Sequence, residues 1–491
     1  MTEARRVARN SIVQLAGRGI TVFISLAALT LLSRYLGPTK FGQYQLVIAF
    51  LTLFNISDLG VATIAVRHLS TTERDPEELM GNVLTIRTLL AVASAVLAVG
   101  MTFAFDYEPY IQAAVALAAL SFPLTIFSGS YSATFAANLR MEYATLGAIA
   151  QSIVGLAAMV FVASTGGGLL RLIIAYDLGI LANSLVCLYF AHRFVRPRFH
   201  FDPHYMRQMA REALPLGLAV LVITAYGRID MVLLKWFTDS ETVGFYSFAY
   251  RAVDLAFPLS FFFVGSVFPL LSSLHNDGKD VQFRKVFQRS HDLLSVGGMA
   301  AVMMLILFSK PIIGLVGGSA YEESVVSLQV LSMAIALIWL SNLADHGLIA
   351  VGRQGVLLWI ALFGLAVNLA SNLALIPLYD KEGAAAATVL TEAAVLLPAL
   401  FILARHTGTA PSFWVTGRLL PVAGVAGVAV YGLQLPWESE AVLAGVVFGL
   451  GIALMRVVSI DDLRALMHRH DHEAEPLVQQ QQATVEVGTP Q

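Results

Sequence analysis

Apolar residues in this chain fall into long continuous runs, and the polar positions are confined to short breaks and a few isolated sites inside the runs. From about Ile12 to Val458, nearly every stretch of twenty residues is long and apolar enough to cross a hydrocarbon core of about 30 Å as a helix. Reading runs between polar, Gly or Pro breaks predicts spans near 12–35, 42–65, 82–104, 111–137, 143–164 and 169–191. After a basic stretch come further spans near 214–237, 245–273, 291–309, 324–350, 355–377, 383–404, 415–433 and 440–458. Unpaired backbone polar groups are too costly in lipid for spans to be anything but helices or closed barrel strands, and barrel-type alternation is absent. The expected fold class is therefore an all-α polytopic membrane protein with about fourteen transmembrane helices.

Composition agrees: 57% of residues are hydrophobic and 13% charged, against roughly 45–50% and about 25% in soluble domains. Cys187 is the only cysteine, which excludes a disulfide within the chain. The first apolar segment after Arg5, Arg6 and Arg9 is too long for a cleavable signal and lacks a convincing small-residue cleavage site. Net charge, -2, says little by itself. Its distribution says more. With the N-terminus inside, the predicted inner segments carry nineteen Lys and Arg residues, including the cluster from Arg193 to Arg211 and that from Lys279 to Arg289. The outer side carries Lys40, Lys310 and Lys381, with Lys235 at its rim. Because an extra or missing span would swap every later loop, this asymmetry supports fourteen passes with both termini cytoplasmic.

The chain also repeats itself. Leu31, Leu32, Tyr35, Gly42 and Tyr44 match Leu233, Leu234, Phe237, Gly244 and Tyr246 without gaps at an offset of 202, and a weaker echo at 215 sets Gly168 against Gly383 and Asp177 against Glu392. Each copy of the first motif joins an odd-numbered to an even-numbered span, so the halves share one orientation and a repeat axis along the membrane normal. The expected organisation is a cytoplasmic N-terminus (1–11), a six-helix lobe (12–191) and a basic cytoplasmic linker (192–213). A second six-helix lobe (214–404), an extra helical pair (415–458) and a cytoplasmic tail (459–491) follow, the tail with a QQQQ run and no apolar period. The linker is expected to fix topology and attract anionic headgroups. Nothing further favours nucleic acid.

Charges inside the spans need a reason, because a charged side chain near the bilayer midplane costs at least about 2.5–3.5 kcal/mol on insertion scales. The stretch TAYGRIDMVLLKWFTDSETVGFYSFAYRAVD concentrates them as Arg228, Asp230, Arg251 and Asp254. On a regular helix Arg228 and Asp230 lie about 200° apart, so one faces a cavity and the other a neighbouring helix unless the helix breaks at Gly227. Arg251 and Asp254, three apart, share a face and partly neutralise each other. Arg18, flanked by Gly17 and Gly19, lies deeper in its span than snorkelling comfortably allows. Arg34, Lys235, Arg67 and Arg87 sit at span ends and read as headgroup-snorkelling residues. Asp58, Asp177, Glu392, Asp230 and Asp254 are either proton-coupling acids or the partners of arginines. Tyr226 and Tyr250 are candidates for stacking on sugar rings. No metal-ligating set, cofactor motif or phosphate-binding P-loop is present, and no large outer loop carries the acids that a glycosyltransferase would use.

The motifs RYLGP, FGQY and DLG in RNSIVQLAGRGITVFISLAALTLLSRYLGPTKFGQYQLVIAFLTLFNISDLGVATIAVRHLS carry a resemblance, as do GRIDMVLLKWF, VGFYSFAYR and VNLASNLALIPLYDKEGAAAATVLTE. From about residue 9 to about 405 the chain resembles oligosaccharide-lipid flippases of the polysaccharide transporter family, within the superfamily that includes multidrug/toxin extruders and the lipid II flippase. The resemblance implies two lobes that alternate between inward-open and outward-open states in the cytoplasmic membrane. It also implies a polyprenyl-pyrophosphate-linked oligosaccharide as substrate, for surface polysaccharide synthesis, with assembly proteins such as a polymerase as possible partners. On this reading Arg18, Arg228 and Arg251 line the cavity and neutralise the pyrophosphate, a task suited to the forked guanidinium. The alternative on the same fold is a cation-coupled drug or metabolite exporter, which the deep arginines disfavour because a cationic drug wants an acidic lumen.

Overall fold

A computed structural model describes residues 3–454 apart from 57, 72–74, 106, 139, 197–198, 409 and 434–435. The tail at 459–491 lies outside the described residues. Among the described residues sixteen α-helices follow in order: α1 (Glu3–Leu53), α2 (Val61–Thr71), α3 (Pro76–Ala104), α4 (Pro109–Ala118), α5 (Ser121–Ala137), α6 (Glu142–Ser164), α7 (Leu169–Ala191) and α8 (Pro203–Tyr226). Then come α9 (Ile229–Phe237), α10 (Ser240–Asn276), α11 (Asp280–Leu307), α12 (Ser309–Val316), α13 (Ser324–Ala350), α14 (Leu357–Thr407), α15 (Trp414–Leu433) and α16 (Trp437–Leu454). No strand occurs among the described residues.

The 51 residues of α1 would reach about 76 Å if straight, far more than one crossing needs. The chain turns instead at Gly37, whose φ of 65° and ψ of 173° suit a residue without Cβ. α14, equally long, turns at Asp380 (φ 46°, ψ −125°). Among the described residues ten helices are long and apolar enough to cross a membrane, and with the turns inside α1 and α14 and the shorter apolar helices they agree roughly with the fourteen spans read from the apolar runs.

Contacts divide the chain into two compact units. The larger comprises residues 1–258, 309–334 and 353–399. Within it α6 packs along α7 with little side chain between them: a Cβ on Gly179 would lie 2.9 Å from the Gln151 carbonyl and 3.2 Å from the Gly155 Cα. Small residues give transmembrane helices this approach where no hydrophobic drive exists. The Asn183 amide donates to Gln151 Oε1 across the same contact (3.0 Å). The smaller unit comprises, among the described residues, 259–308, 335–352 and those from 400 to 454. There α11 meets the second half of α13 at Gly298 and Ala336, and Thr416 of α15 bonds Ser295 of α11 (3.2 Å).

The Gly37 turn is tied to several other segments of the larger unit. Arg34 donates to the last carbonyls of α12, Leu315 (2.6 Å) and Val316 (3.2 Å), so it caps a helix end instead of snorkelling. Tyr35 donates to the Gly167 carbonyl (2.8 Å), and Tyr321 returns a bond to the Ser33 carbonyl (3.2 Å). Gly42 and Gly244, equivalent positions of the 202-residue repeat, face each other. A Cβ on Gly42 would collide with the Ser240 carbonyl, and one on Gly244 would collide with the Pro38 carbonyl. Pro38 and Ser240 are themselves equivalent at the same offset, so the contact is reciprocal.

Arg87 also departs from the snorkelling expectation. It is 5% exposed, pairs with Asp58 (3.2 Å) and lies where a Cβ on Gly129 would strike its guanidinium. Asp58 in turn accepts from the Ala62 amide (3.0 Å) beside Leu59 and Gly60, two positive-φ residues in the break before α2. Beyond that break, Glu212 of α8 accepts from Arg67, His68 (3.1 Å) and Gln208 (3.1 Å), while His68 also meets Tyr205 (2.9 Å). These donors, Gln208 first, hold the Glu212 carboxyl below its ordinary range.

The glycine contact yields a direct prediction. Gly42→Ala and Gly244→Ala should each destabilise the purified protein by about 1–3 kcal/mol through overpacking. Gly19→Ala and Gly265→Ala, with nothing within 4 Å of the new methyl, should leave the melting temperature unchanged or raise it.

Candidate functional site

The helix does break at Gly227. α8 ends at Tyr226, Gly227 follows, and Arg228 stands as the N-cap of α9 with φ −136° and ψ −15°. The 200° separation of a continuous helix therefore does not apply, and Arg228 and Asp230 are directed independently.

Arg228 Nη2 donates to Asp254 Oδ1 at 2.8 Å, and Arg251 Nη1 donates to Asp254 Oδ2 at 3.0 Å. One carboxylate thus bridges two guanidiniums. Arg251 uses Nη2 to reach Gln45 Oε1 of α1 at 2.7 Å, which ties the second repeat to the first. The Arg228 guanidinium lies over the Tyr250 ring, 5.3 Å from its centroid, and the Tyr250 hydroxyl donates to the Gly227 carbonyl (3.3 Å). One face of Tyr250 is therefore occupied by a cation. The three ionic side chains retain a quarter to a third of their exposure, 24% for Arg228, 25% for Asp254 and 33% for Arg251, so the cluster remains open to solvent or ligand.

Asp230 is buried beside it. Its Oδ1 accepts from the Met231 amide (2.8 Å), its Oδ2 accepts from the Tyr246 hydroxyl, and that hydroxyl also meets Thr388 Oγ1 (3.2 Å). Asp177 on α7 is buried with neither carboxylate oxygen hydrogen-bonded among the described residues. Tyr44 and Tyr176 lie within electrostatic reach of both Arg251 and Asp177. Glu392 is buried on the second leg of α14, within such reach of Tyr250.

The structure thus gathers Arg228, Arg251, Asp254, Asp230 and Tyr250, with Asp177 and Glu392 around them. Gln45, Thr388 and Tyr176 join the network without having been singled out from the sequence. Gln45, as an amide inside an apolar run, is the one that carried a visible signal. Arg18 stands on the first leg of α1, before the turn, and Gln45 on the second. Arg18 lies 19 residues before Gly37 and Gln45 lies eight after it, distances of about 28 Å and about 12 Å along their helices, so the two are at least about 16 Å apart. Arg18 is exposed, Tyr226 is half-buried at the end of α8, and Asp58 belongs to the separate pair with Arg87.

Chemically, two cations held by a single carboxylate form a pre-oriented anion site occupied by an internal anion. Removing that anion leaves two guanidiniums unbalanced.

A helical fold with ten membrane-length apolar helices among the described residues and a partly accessible ionic cluster within them defines a membrane protein of the transporter kind. Residues 7–275, more than half the chain, match the family model described as polysaccharide biosynthesis protein, and the chain belongs to that family. Residues 215–373 match the MatE model. The chain is 22% identical over 450 residues to the probable flippase AglR of Haloferax volcanii, covering 87% of this chain and 89% of that protein. Among solved structures it resembles the lipid II flippase MurJ in an inward closed conformation (TM-score 0.77, 14% identity, 91% of this chain and 98% of that one). It also resembles an inward-facing multidrug resistance MATE family transporter of the MOP superfamily (TM-score 0.65, 14% identity, 81% of this chain and 99% of that one). At these identities the structural likenesses speak to fold alone.

Asp254→Asn should lower stability by about 1.5–3 kcal/mol, the scale of a charge-assisted hydrogen bond. The neutral triple variant Arg228→Gln/Arg251→Gln/Asp254→Asn should recover part of that loss. Melting of the purified variants in detergent checks both, and a triple variant no more stable than Asp254→Asn would show that Asp254 does not serve as the arginines' counter-ion.

Proposed function

We propose that this protein is a flippase that moves a polyprenyl-pyrophosphate-linked oligosaccharide from the cytoplasmic to the outer leaflet for surface polysaccharide synthesis. The observation that carries the reading is the sharing of Asp254 by Arg228 and Arg251 inside the spans. On this reading the pyrophosphate replaces the Asp254 carboxylate as the arginines' partner, so binding exchanges one anion for another and never exposes bare guanidiniums to a low dielectric. Membership of the polysaccharide biosynthesis family and likeness to the probable flippase AglR support the substrate class.

The working frame is two lobes, 12–191 and 214–404, rocking in the cytoplasmic membrane with both termini inside, followed along the chain by an extra helical pair (415–458). The polyprenyl tail stays in the bilayer as the head passes. The protein acts as a transporter and makes or breaks no bond. A proton or ion gradient, or consumption of the product, drives the cycle. A second reading, a cation-coupled exporter, draws on the MatE match and on the buried acids Asp177 and Asp230.

Deleting the gene should cause the polyprenyl-linked glycan to accumulate on the cytoplasmic side, and wild-type protein should clear it. Arg228→Ala and Arg251→Ala should each cut export roughly tenfold or more at unchanged protein level. Normal glycan export with altered tolerance to cationic drugs would instead favour the exporter.

A further inference from the structure

The larger unit carries a groove of about 720 Å³ along the first leg of α1, and none of the arginine–aspartate cluster lines it. One face of α1 supplies Phe23, Leu26, Ala27, Thr30 and Arg34 at helical spacing, and Ala163 near the end of α6 closes the far side. Its surface is apolar below Arg34. Thr30 returns its hydroxyl to the Leu26 carbonyl (3.0 Å), and Phe23 is 75% exposed. Open apolar surface within a span is covered by hydrocarbon, because water gains nothing there. The upper end of the groove is fixed by bonds to other segments. The Tyr35 hydroxyl donates to the Gly167 carbonyl (2.8 Å), and Arg34 holds the Leu315 and Val316 carbonyls at the end of α12.

Positive charge collects at that end. Past the Tyr35–Gly167 bond lies Arg171, where a Cβ on Gly167 would stand 2.9 Å from its Cδ. Arg171 is in the first turn of α7, whose dipole adds positive potential. Both arginines are exposed. The carbonyls that Arg34 holds carry only the partial charge of a helix end, and neither arginine forms an ion pair with a carboxylate among the described residues. The acids just after Tyr321, which itself bonds the Ser33 carbonyl, are committed elsewhere: Glu322 to Lys310 (2.6 Å) and Glu323 to Lys381 (3.2 Å). The groove also has a definite depth. From Phe23 to Arg34 the helix rises about 16 Å, half of a core of about 30 Å, and Arg34 comes three residues before the turn at Gly37. It therefore runs from headgroup level to about the midplane, the length of one leaflet.

We propose that this groove binds one anionic phospholipid of the leaflet on the Gly37 side, its phosphate at Arg34 and Arg171 and an acyl chain along Phe23, Leu26 and Ala27. Cations at headgroup depth above an apolar groove one leaflet long match a molecule that carries charge and hydrocarbon together. A soluble anion has no use for the groove, and a zwitterionic lipid brings its own cation to the arginines.

The test is native mass spectrometry of the full chain, titrated with phosphatidylglycerol or phosphatidylcholine. One phosphatidylglycerol should be retained in preference to phosphatidylcholine. Arg171→Gln removes one cation and should weaken that binding about fivefold. Ala27→Phe fills the groove without touching a charge and should weaken it at least as much. Both positions are exposed, so neither change should move the melting temperature. Lys310→Gln, at an exposed lysine already paired with Glu322, should leave binding unchanged. Undiminished binding by either groove variant, equal retention of phosphatidylcholine, or an equal loss in Lys310→Gln would each overturn the proposal. So would displacement of the lipid by millimolar inorganic phosphate or by equimolar polyprenyl phosphate.

Discussion

Backbone meets backbone where Gly42 packs on the segment before Gly244, and no other residue at either position would leave room for the contact. Because the two glycines and the carbonyls they touch are related by one repeat offset, the contact is a self-complementary joint made by duplicated sequence. Around it are tied Arg34 on the end of α12, Tyr35 on Gly167 and the edge-on packing of Phe41 against Phe248 and Tyr321. A scaffold duplicated in sequence is thereby clamped at the ends of its first helices. The remainder of those helices is available for chemistry.

That chemistry departs from the duplication. At the 202-residue offset Arg228 corresponds to Leu26, Asp230 to Ala28 and Arg251 to Ala49. The first repeat contributes Gln45, a neutral amide, to the Arg251 guanidinium. The tyrosines of the repeated motif diverge in the same way. Tyr246 donates to Asp230, while Tyr44 lies near Asp177, whose carboxylate has no hydrogen bond among the described residues. Charge on one repeat and polar complement on the other gives an asymmetric site on a symmetric frame, as suits a site for a ligand that is itself asymmetric.

Much of this was legible in the residues. Run length gave the helices, and about fourteen passes followed from the breaks between apolar runs and the one-sided placement of Lys and Arg. The pairing of Arg251 with Asp254 followed from a spacing of three, and a break at Gly227 was the condition under which Arg228 and Asp230 could act independently. What spacing cannot reveal is contact between distant segments. Gln45 and Arg251 are 206 positions apart, and nothing local marks them as partners. Arg87 looked like a residue at a span end, yet Gly129 on another helix makes room for it to be buried against Asp58. Depth in a span constrains a charge along one axis, and only the tertiary fold supplies the other two.

The account rests on transport of a pyrophosphate-bearing lipid through a cluster in which Asp254 occupies the anion's place. The most direct measurement is translocation of a fluorescent polyprenyl-pyrophosphate oligosaccharide in vesicles containing only the purified protein, with a cationic dye as the competing cargo. Movement of the lipid-linked glycan, without ATP and lost in Arg228→Ala/Arg251→Ala, is the predicted result. Transport of the dye with no movement of the glycan would contradict it.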